Sequence, residues 1–130
     1  MSTLKVATIQ DTSGNNSSTP AGIAAGTAKA WISFNGTGTP SITQSFNVSS
    51  ITDVNTGRFN INLTNAVLAT ACVVAGVAKQ GNADNGDQKI CVGSFDAGRL
   101  PTTSSFPLTI VSGTASLEDV GYIAAAVFSD

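Results

Sequence analysis

The clearest feature of the chain is a set of short segments in which apolar and polar residues alternate. In the segment 58–64, Phe59, Ile61 and Leu63 alternate with asparagine and threonine, and the segment 42–51 begins with the same alternation. A period of two places successive side chains on opposite faces of a half-buried strand. We therefore predict that these two segments are strands that form a hairpin, joined by a turn at 53–57.

Five further segments have the length and composition of strands. They are 29–34, 72–78, 89–95, 106–110 and 122–128. The continuous apolar run 72–78 is typical of a strand buried on both faces, as in a sandwich or an oligomer interface. A short helix is the alternative, but the two adjacent valines and Gly76 argue against it. A loop near residue 83 would bring 72–78 and 89–95 together as an antiparallel pair. About seven strands at this spacing predict an all-β protein, an antiparallel β-sandwich.

The first 27 residues differ from the remainder of the chain. Their large apolar residues before residue 20 are Leu4, Val6 and Ile9, and the polar run 11–20 cannot build a core. We predict an extended N-terminal arm over 1–27, ordered by contact with another subunit or a larger assembly, and a β domain over 28–130. Leu4, Val6 and Ile9 are its candidate contacts with a neighbouring subunit or that larger assembly.

Composition narrows the function. Only 11% of the 130 residues are charged and the net charge is −2, which argues against binding of nucleic acid, because that needs clustered lysine and arginine. The chain has no histidine, the commonest general base and metal ligand. The carboxylate pairs Asp84/Asp87 and Glu118/Asp119 fall in predicted turns, where aspartate is common for backbone reasons. We expect no catalytic residues, no metal, no cofactor and no enzymatic activity.

The cysteines and the N-terminus bear on the compartment. The first residues lack the apolar core of a signal peptide, and no apolar run approaches the ~20 residues that span a bilayer. We therefore expect a chain made in the cytoplasm and not inserted into a membrane. Two interpretations of Cys72 and Cys91 stay open: buried reduced thiols, or a disulfide across a hairpin.

Trp31 and Tyr122 are the candidate surface-contact aromatics. Their rings could form part of a platform on which a sugar stacks. The alternative for Trp31 is an anchor in the core or in an interface.

Three stretches of the sequence are distinctive: Ala28-Lys-Ala-Trp-Ile-Ser-Phe-Asn-Gly-Thr-Gly-Thr39, Ser45-Phe-Asn-Val-Ser-Ser-Ile-Thr-Asp53 and Thr56-Gly-Arg-Phe-Asn-Ile-Asn-Leu-Thr64. They resemble a protein module of tailed bacteriophages, found in tail-fibre-like and small virion proteins, many of them from phages of aquatic and cyanobacterial hosts. The opening Thr3-Leu-Lys-Val-Ala-Thr-Ile-Gln-Asp-Thr-Ser-Gly14 is similar to the N-terminal arm of such proteins. The resemblance implies a sandwich-like β domain that assembles as a homotrimer on the virion exterior, without catalytic residues.

From this resemblance we expect a virion structural protein of the tail or baseplate fibre type, made in the host cytoplasm, whose partners are itself and other virion proteins. The alternative within the class is a trimeric capsid decoration protein that stabilises the head shell. The continuous apolar strands 72–78 and 122–128 would suit the trimer interface. A rival from another class is a module that binds a host-surface glycan through Trp31, Tyr122 and the loops near 35–40 and 80–88.

Overall fold

The computed structural model describes residues 1–67, 73–79, 90–93 and 99–129. Within these ranges the chain forms one short helix and eight strands, and every strand pair is antiparallel. The elements are α1 (Pro20–Gly26), β1 (Ala30–Asn35), β2 (Ser41–Phe46), β3 (Val48–Asn55), β4 (Arg58–Leu63), β5 (Val73–Lys79), β6 (Ile90–Gly93), β7 (Ser105–Val111) and β8 (Tyr122–Phe128). The prediction of an all-β protein is confirmed.

The strands hydrogen-bond in the order β2-β1-β8-β5-β6-β7-β4-β3, and this continuous ladder doubles over on itself. Four strands separate β1 from β4 in that order, yet the rings of Phe34 in β1 and Phe59 in β4 meet edge to face with centroids 5.2 Å apart. Such a contact requires the β1/β8 half of the sheet to face the β4/β7 half. The architecture is therefore two antiparallel layers around one core, consistent with the predicted β-sandwich.

The core lies between these two halves and is built by alternation along four strands. Each strand turns every second side chain inward, as a period of two requires. The buried apolar residues are Ala30, Ile32 and Phe34 in β1, Phe59 and Ile61 in β4, Phe106, Leu108 and Ile110 in β7, Ile123, Ala125 and Val127 in β8, and Val120 just before β8. The opposite side chains of β1 and β8 face away from the core, and this second face carries the candidate site.

Asn47 divides the segment predicted as one strand over 42–51. Its φ of 56° lies in the left-handed region, and the turn it makes ends β2 and begins β3. The Asn47 side chain donates to the backbone oxygens of Lys29 and Asn65 and accepts from the Asn65 amide, so the chains entering β1 and leaving β4 are tied to the corner. The predicted strand is thus two strands, which raises the count from seven to eight.

The predicted hairpin of 42–51 with 58–64 is consequently half right. Strand β3 pairs with β4 as expected, but β2 pairs with β1. Every residue of β2 is exposed, Ile42 at 40% and Phe46 at 54%, so the prediction of a half-buried strand is wrong there. Strand β2 is an edge strand, and alternation alone does not reveal whether a second layer covers it.

The C-terminal strands confirm the predicted pairing and correct the predicted burial. Ala75 of β5 lies opposite Val92 of β6, so these strands form the expected antiparallel pair. Strand β5 is not buried on both faces, because alternate residues are exposed and Val77 reaches 61%. Its apolar outward residues belong to an open face shared with β8, its other neighbour.

The N-terminal segment, residues 1–27, is exposed throughout. Its last part is helical where an extended chain was expected: α1 spans Pro20–Gly26. Thr19 caps the helix by accepting from the Gly22 amide at 3.0 Å, and Pro20 suits the first turn because it has no N–H to leave unsatisfied. Residues 20–26 therefore form a short helix that is stabilised by its cap and its own backbone, without any buried side chain.

Gly57 turns the chain from β3 into β4 in a place that admits no side chain. Its φ is +67°, and a Cβ atom there would lie 2.7 Å from both the Ile110 oxygen and the Glu118 nitrogen. Its amide donates to Asp119 Oδ1 at 2.7 Å. The β3–β4 turn is thereby locked against the loop that precedes β8.

We predict that Gly57→Ala lowers the free energy of unfolding by at least ~3 kcal/mol, because it combines left-handed strain with backbone overlap. Gly38→Ala is the matched control: its φ is +63° but nothing lies within 4 Å of a Cβ there. It should lose only ~1–2 kcal/mol. Urea unfolding followed by circular dichroism compares the two, and equal losses would contradict the close approach at Gly57.

Candidate functional site

The second face of β1, β8 and β5, together with the adjoining face of β2, forms an open surface, here called the outer face. Register aligns its side chains in rows across the strands. Trp31 of β1 lies opposite Ala126 of β8, which lies opposite Ala75 of β5. In the next row Ser33 lies opposite Ala124, which lies opposite Val77.

Strand β2 extends both rows. Phe46 lies opposite Trp31, and Gln44 lies opposite Ser33. The outer face therefore runs across four strands, and its central strand β8 contributes only alanine between Tyr122 and Phe128 on this side.

A shallow groove of about 570 Å³, wide open to solvent, lies at the centre of the outer face. Alanines of β8 and the Ala75-Gly76 pair of β5 form the floor, and their small size leaves the depression between larger neighbours. Trp31, Gln44, Val77 and Tyr122 stand around it. The volume lies within the range of small-ligand sites, about 300–1,000 Å³.

Trp31 and Tyr122, the aromatics singled out from the sequence, both line this groove. Trp31 is 40% exposed and Tyr122 is 48% exposed, so Trp31 is not an anchor of the core. Trp31 lies opposite Ala126, four residues along β8 from Tyr122, which separates the two positions by about 13 Å along the strand. The fold thus brings together residues 91 positions apart in sequence, one toward each end of a single groove.

The groove carries no acidic side chain among its described lining residues. Lys79 stands at the Tyr122 end, directly opposite that residue in the β5–β8 register and exposed on the same side. Neutral hydrogen-bonding groups come from Ser33, Gln44 and the Tyr122 hydroxyl. The groove therefore offers aromatic faces, neutral polar groups and one adjacent cation.

The acidic pair Glu118/Asp119 belongs to the framework. The Asp119 carboxylate accepts from the Gly57 amide in the β3–β4 turn, and the Glu118 backbone amide donates to the Ile110 oxygen of β7. Asp84 and Asp87 lie outside the described residues. Across the described ranges, histidine, cysteine, aspartate and glutamate form no group of three or more that could hold a metal ion.

The structure describes one of the two cysteines. Cys91 lies in β6 opposite Ile110 of β7, and Cys72 lies outside the described residues. The choice between free thiols and a disulfide stays a prediction.

The N-terminal segment presents apolar side chains that contact no core. Leu4 is 85% exposed, Val6 41% and Ile9 53%. A turn held by Asp11 and a single bridge between Ile9 and Ser18 give the segment its local order. The helix α1, with seven residues, is too short to cross a membrane, and no other helix in the described ranges could do so.

Sequence reasoning missed Ser33, Gln44 and the small-residue floor. Each is unremarkable alone, and only the β2-β1-β8-β5 register makes them neighbours. The alanine run 124–126 could have indicated the small-residue floor. A face that packs against another layer usually carries large side chains, and the outward residues Ala124 and Ala126 are small.

We predict that Trp31→Ala changes the free energy of unfolding by less than ~1 kcal/mol, because half-exposed cross-strand contacts contribute little. Ile32→Ala, at the next residue, is the control: Ile32 is 1% exposed and its truncation should cost about 2–5 kcal/mol. Urea unfolding followed by circular dichroism measures both. A loss at Trp31 as large as that at Ile32 would make the indole a structural anchor.

No family model, curated protein or solved structure matches this chain.

Proposed function

We propose that the chain is a structural protein of a bacteriophage virion, a fibre-type homotrimer of the tail or baseplate whose β domain faces outward. The observation that carries the proposal is a division within the chain. The core is built entirely from residues 30–127, whereas residues 1–27 are exposed and contribute nothing to it. Such a segment has no contact with the core of its own domain, so a partner outside the domain would have to fix its position.

The apolar residues of the N-terminal segment support its role as an anchor. Leu4 and Ile9 leave more than half of their surfaces in water, and burying a leucine or isoleucine contributes ~1.5–3 kcal/mol. Inserted into another virion protein, several such side chains would hold the subunit to the particle. The sequence resemblance at residues 1–14 supports the same assignment.

Strand β2 supports contact between copies. It is an edge strand, exposed on both faces, with Ile42 and Phe46 at its ends. An exposed edge presents unpaired backbone groups that another chain can cover. Assembly through this edge would leave the groove of the outer face open toward the host, and three copies would strengthen a weak contact through avidity.

Gold-labelled antibody against the full chain, imaged on intact particles of the phage that encodes it, tests the proposal. Label at the tail or baseplate supports the fibre-type protein. Label spread over the head would replace it with the decoration protein, and added protein should then raise the heat resistance of the capsid. Particles without label, although the epitope is accessible on free protein, would overturn the virion assignment.

We predict that deletion of residues 1–20 abolishes incorporation into particles and changes the unfolding free energy by less than ~1 kcal/mol, because no buried contact is lost. Western blotting of purified particles measures incorporation, and urea unfolding measures stability.

Point variants test whether the apolar side chains of the segment, and not only its length, are needed for incorporation. Leu4→Asp with Val6→Asp should also abolish incorporation. Leu100→Asp, at a 62% exposed leucine of the β domain, is the matched control and should be incorporated normally. Normal incorporation of the deleted protein would count against the segment as anchor.

A further inference from the structure

We propose that the groove on the outer face binds an acidic saccharide, with Trp31 and Tyr122 stacking on sugar rings and Lys79 meeting the carboxylate. The inference rests on the proposed function in one respect, because an outward-facing domain gives the site access to a host surface. The chemistry of the groove itself depends only on its own side chains.

The shape of the groove suits a chain of sugar rings. A pyranose has one face of C–H groups, which packs on an aromatic ring, and a rim of hydroxyls, which needs hydrogen-bonding partners. Trp31 and Tyr122 supply exposed rings from backbone positions about 13 Å apart along the strand direction. The floor of alanine and glycine between them leaves room for rings to lie flat.

The polar groups suit hydroxyls. Ser33, Gln44 and the Tyr122 hydroxyl can each donate and accept, so they can satisfy a hydroxyl in either orientation. Ser33 and Gln44 lie opposite each other in the β1–β2 register, between the two aromatic ends of the groove. The groove therefore has an apolar floor, polar groups on its β1–β2 side and an aromatic residue toward each end.

Charge selects an acidic ligand over a neutral one. Lys79 stands opposite Tyr122, and none of the described lining residues is acidic. A uronic or sialic acid carboxylate at the Tyr122 end would meet this ammonium without a competing carboxylate. Such an exposed pair adds a few-fold to affinity and is weakened by salt.

A second copy of the chain suits the groove less well. Stable interfaces bury about 800 Å² on each partner and are anchored by large side chains. The centre of this face is alanine, glycine and serine, and its large exposed side chains, Trp31, Phe46, Val77 and Tyr122, stand around that centre, so two copies placed face to face would leave the space between their centres unfilled. Two copies meeting face to face would also bring their Lys79 residues onto a shared surface without acidic partners among the described lining residues.

The full-length protein should be tested on an array of uronic-acid and sialic-acid oligosaccharides, each with a neutral oligosaccharide of matched length. Titration calorimetry then measures affinity for the best binder. We expect binding of acidic oligosaccharides, at least a few-fold preference over the neutral match, and loss of that preference between 0.05 and 0.5 M NaCl, concentrations chosen for roughly a threefold change in Debye length. Absence of acidic binders, or equal binding of neutral ones, would overturn the proposal.

Variants assign the binding to the groove. Trp31→Ala should weaken binding about tenfold, and Lys79→Gln should weaken acidic ligands a few-fold while leaving neutral ones unchanged. Leu100→Ala and Lys5→Gln are the matched controls, because both residues are exposed and lie outside the lining of the groove. Unchanged binding by both groove variants would place the saccharide elsewhere and contradict the proposal.

Sedimentation of the same variants tests the remaining alternative, in which a second copy of the chain covers the groove. If Trp31→Ala dissociates an oligomer, the groove is an interface between copies and the saccharide proposal fails. The outcomes also separate the two proposals: labelled particles without saccharide binding leave the virion assignment intact, whereas saccharide binding without labelled particles leaves the groove intact.

Discussion

The contact between two halves of one antiparallel sheet is the constraint on which this structure depends. Phe34 and Phe59 belong to strands that four others separate, and their rings meet because the ladder doubles over. The corner at Asn47 allows β2 and β3 to follow each other while pairing with strands of opposite layers. Because the inward side chains pack in this core, the outward side chains of β1, β5 and β8 face solvent and can contact a ligand or a partner.

Local pattern predicted most strands but not their arrangement. The segments 58–64, 72–78 and 122–128 are strands close to their predicted bounds, because alternation and apolar runs are properties of neighbouring residues. The break at Asn47 was missed, since a left-handed asparagine leaves no mark in the hydrophobic pattern. The exposure of β2 was missed for a different reason: whether an edge strand is covered depends on a layer distant in sequence.

The candidate site, too, could be predicted from the sequence only in part. Trp31 and Tyr122 could be selected from residue type alone, because aromatic residues in a weakly charged chain suggest contact surfaces. Ser33, Gln44 and Lys79 could not, since their relation to the aromatics exists only in the strand register. Strand β8 contributes to both the core and the groove. Ile123 and Val127 fill the core, and the small residues Ala124 and Ala126 form the groove floor.

A double-mutant cycle on Phe34→Leu and Phe59→Leu tests the doubled sheet most directly. Unfolding free energies of the two single variants and the double variant are measured in urea under identical conditions. The edge-to-face contact predicts a coupling energy of about 0.5–1.5 kcal/mol between the two positions. Additive losses, within about 0.3 kcal/mol, would mean that the rings do not touch and that the two halves of the sheet do not face each other.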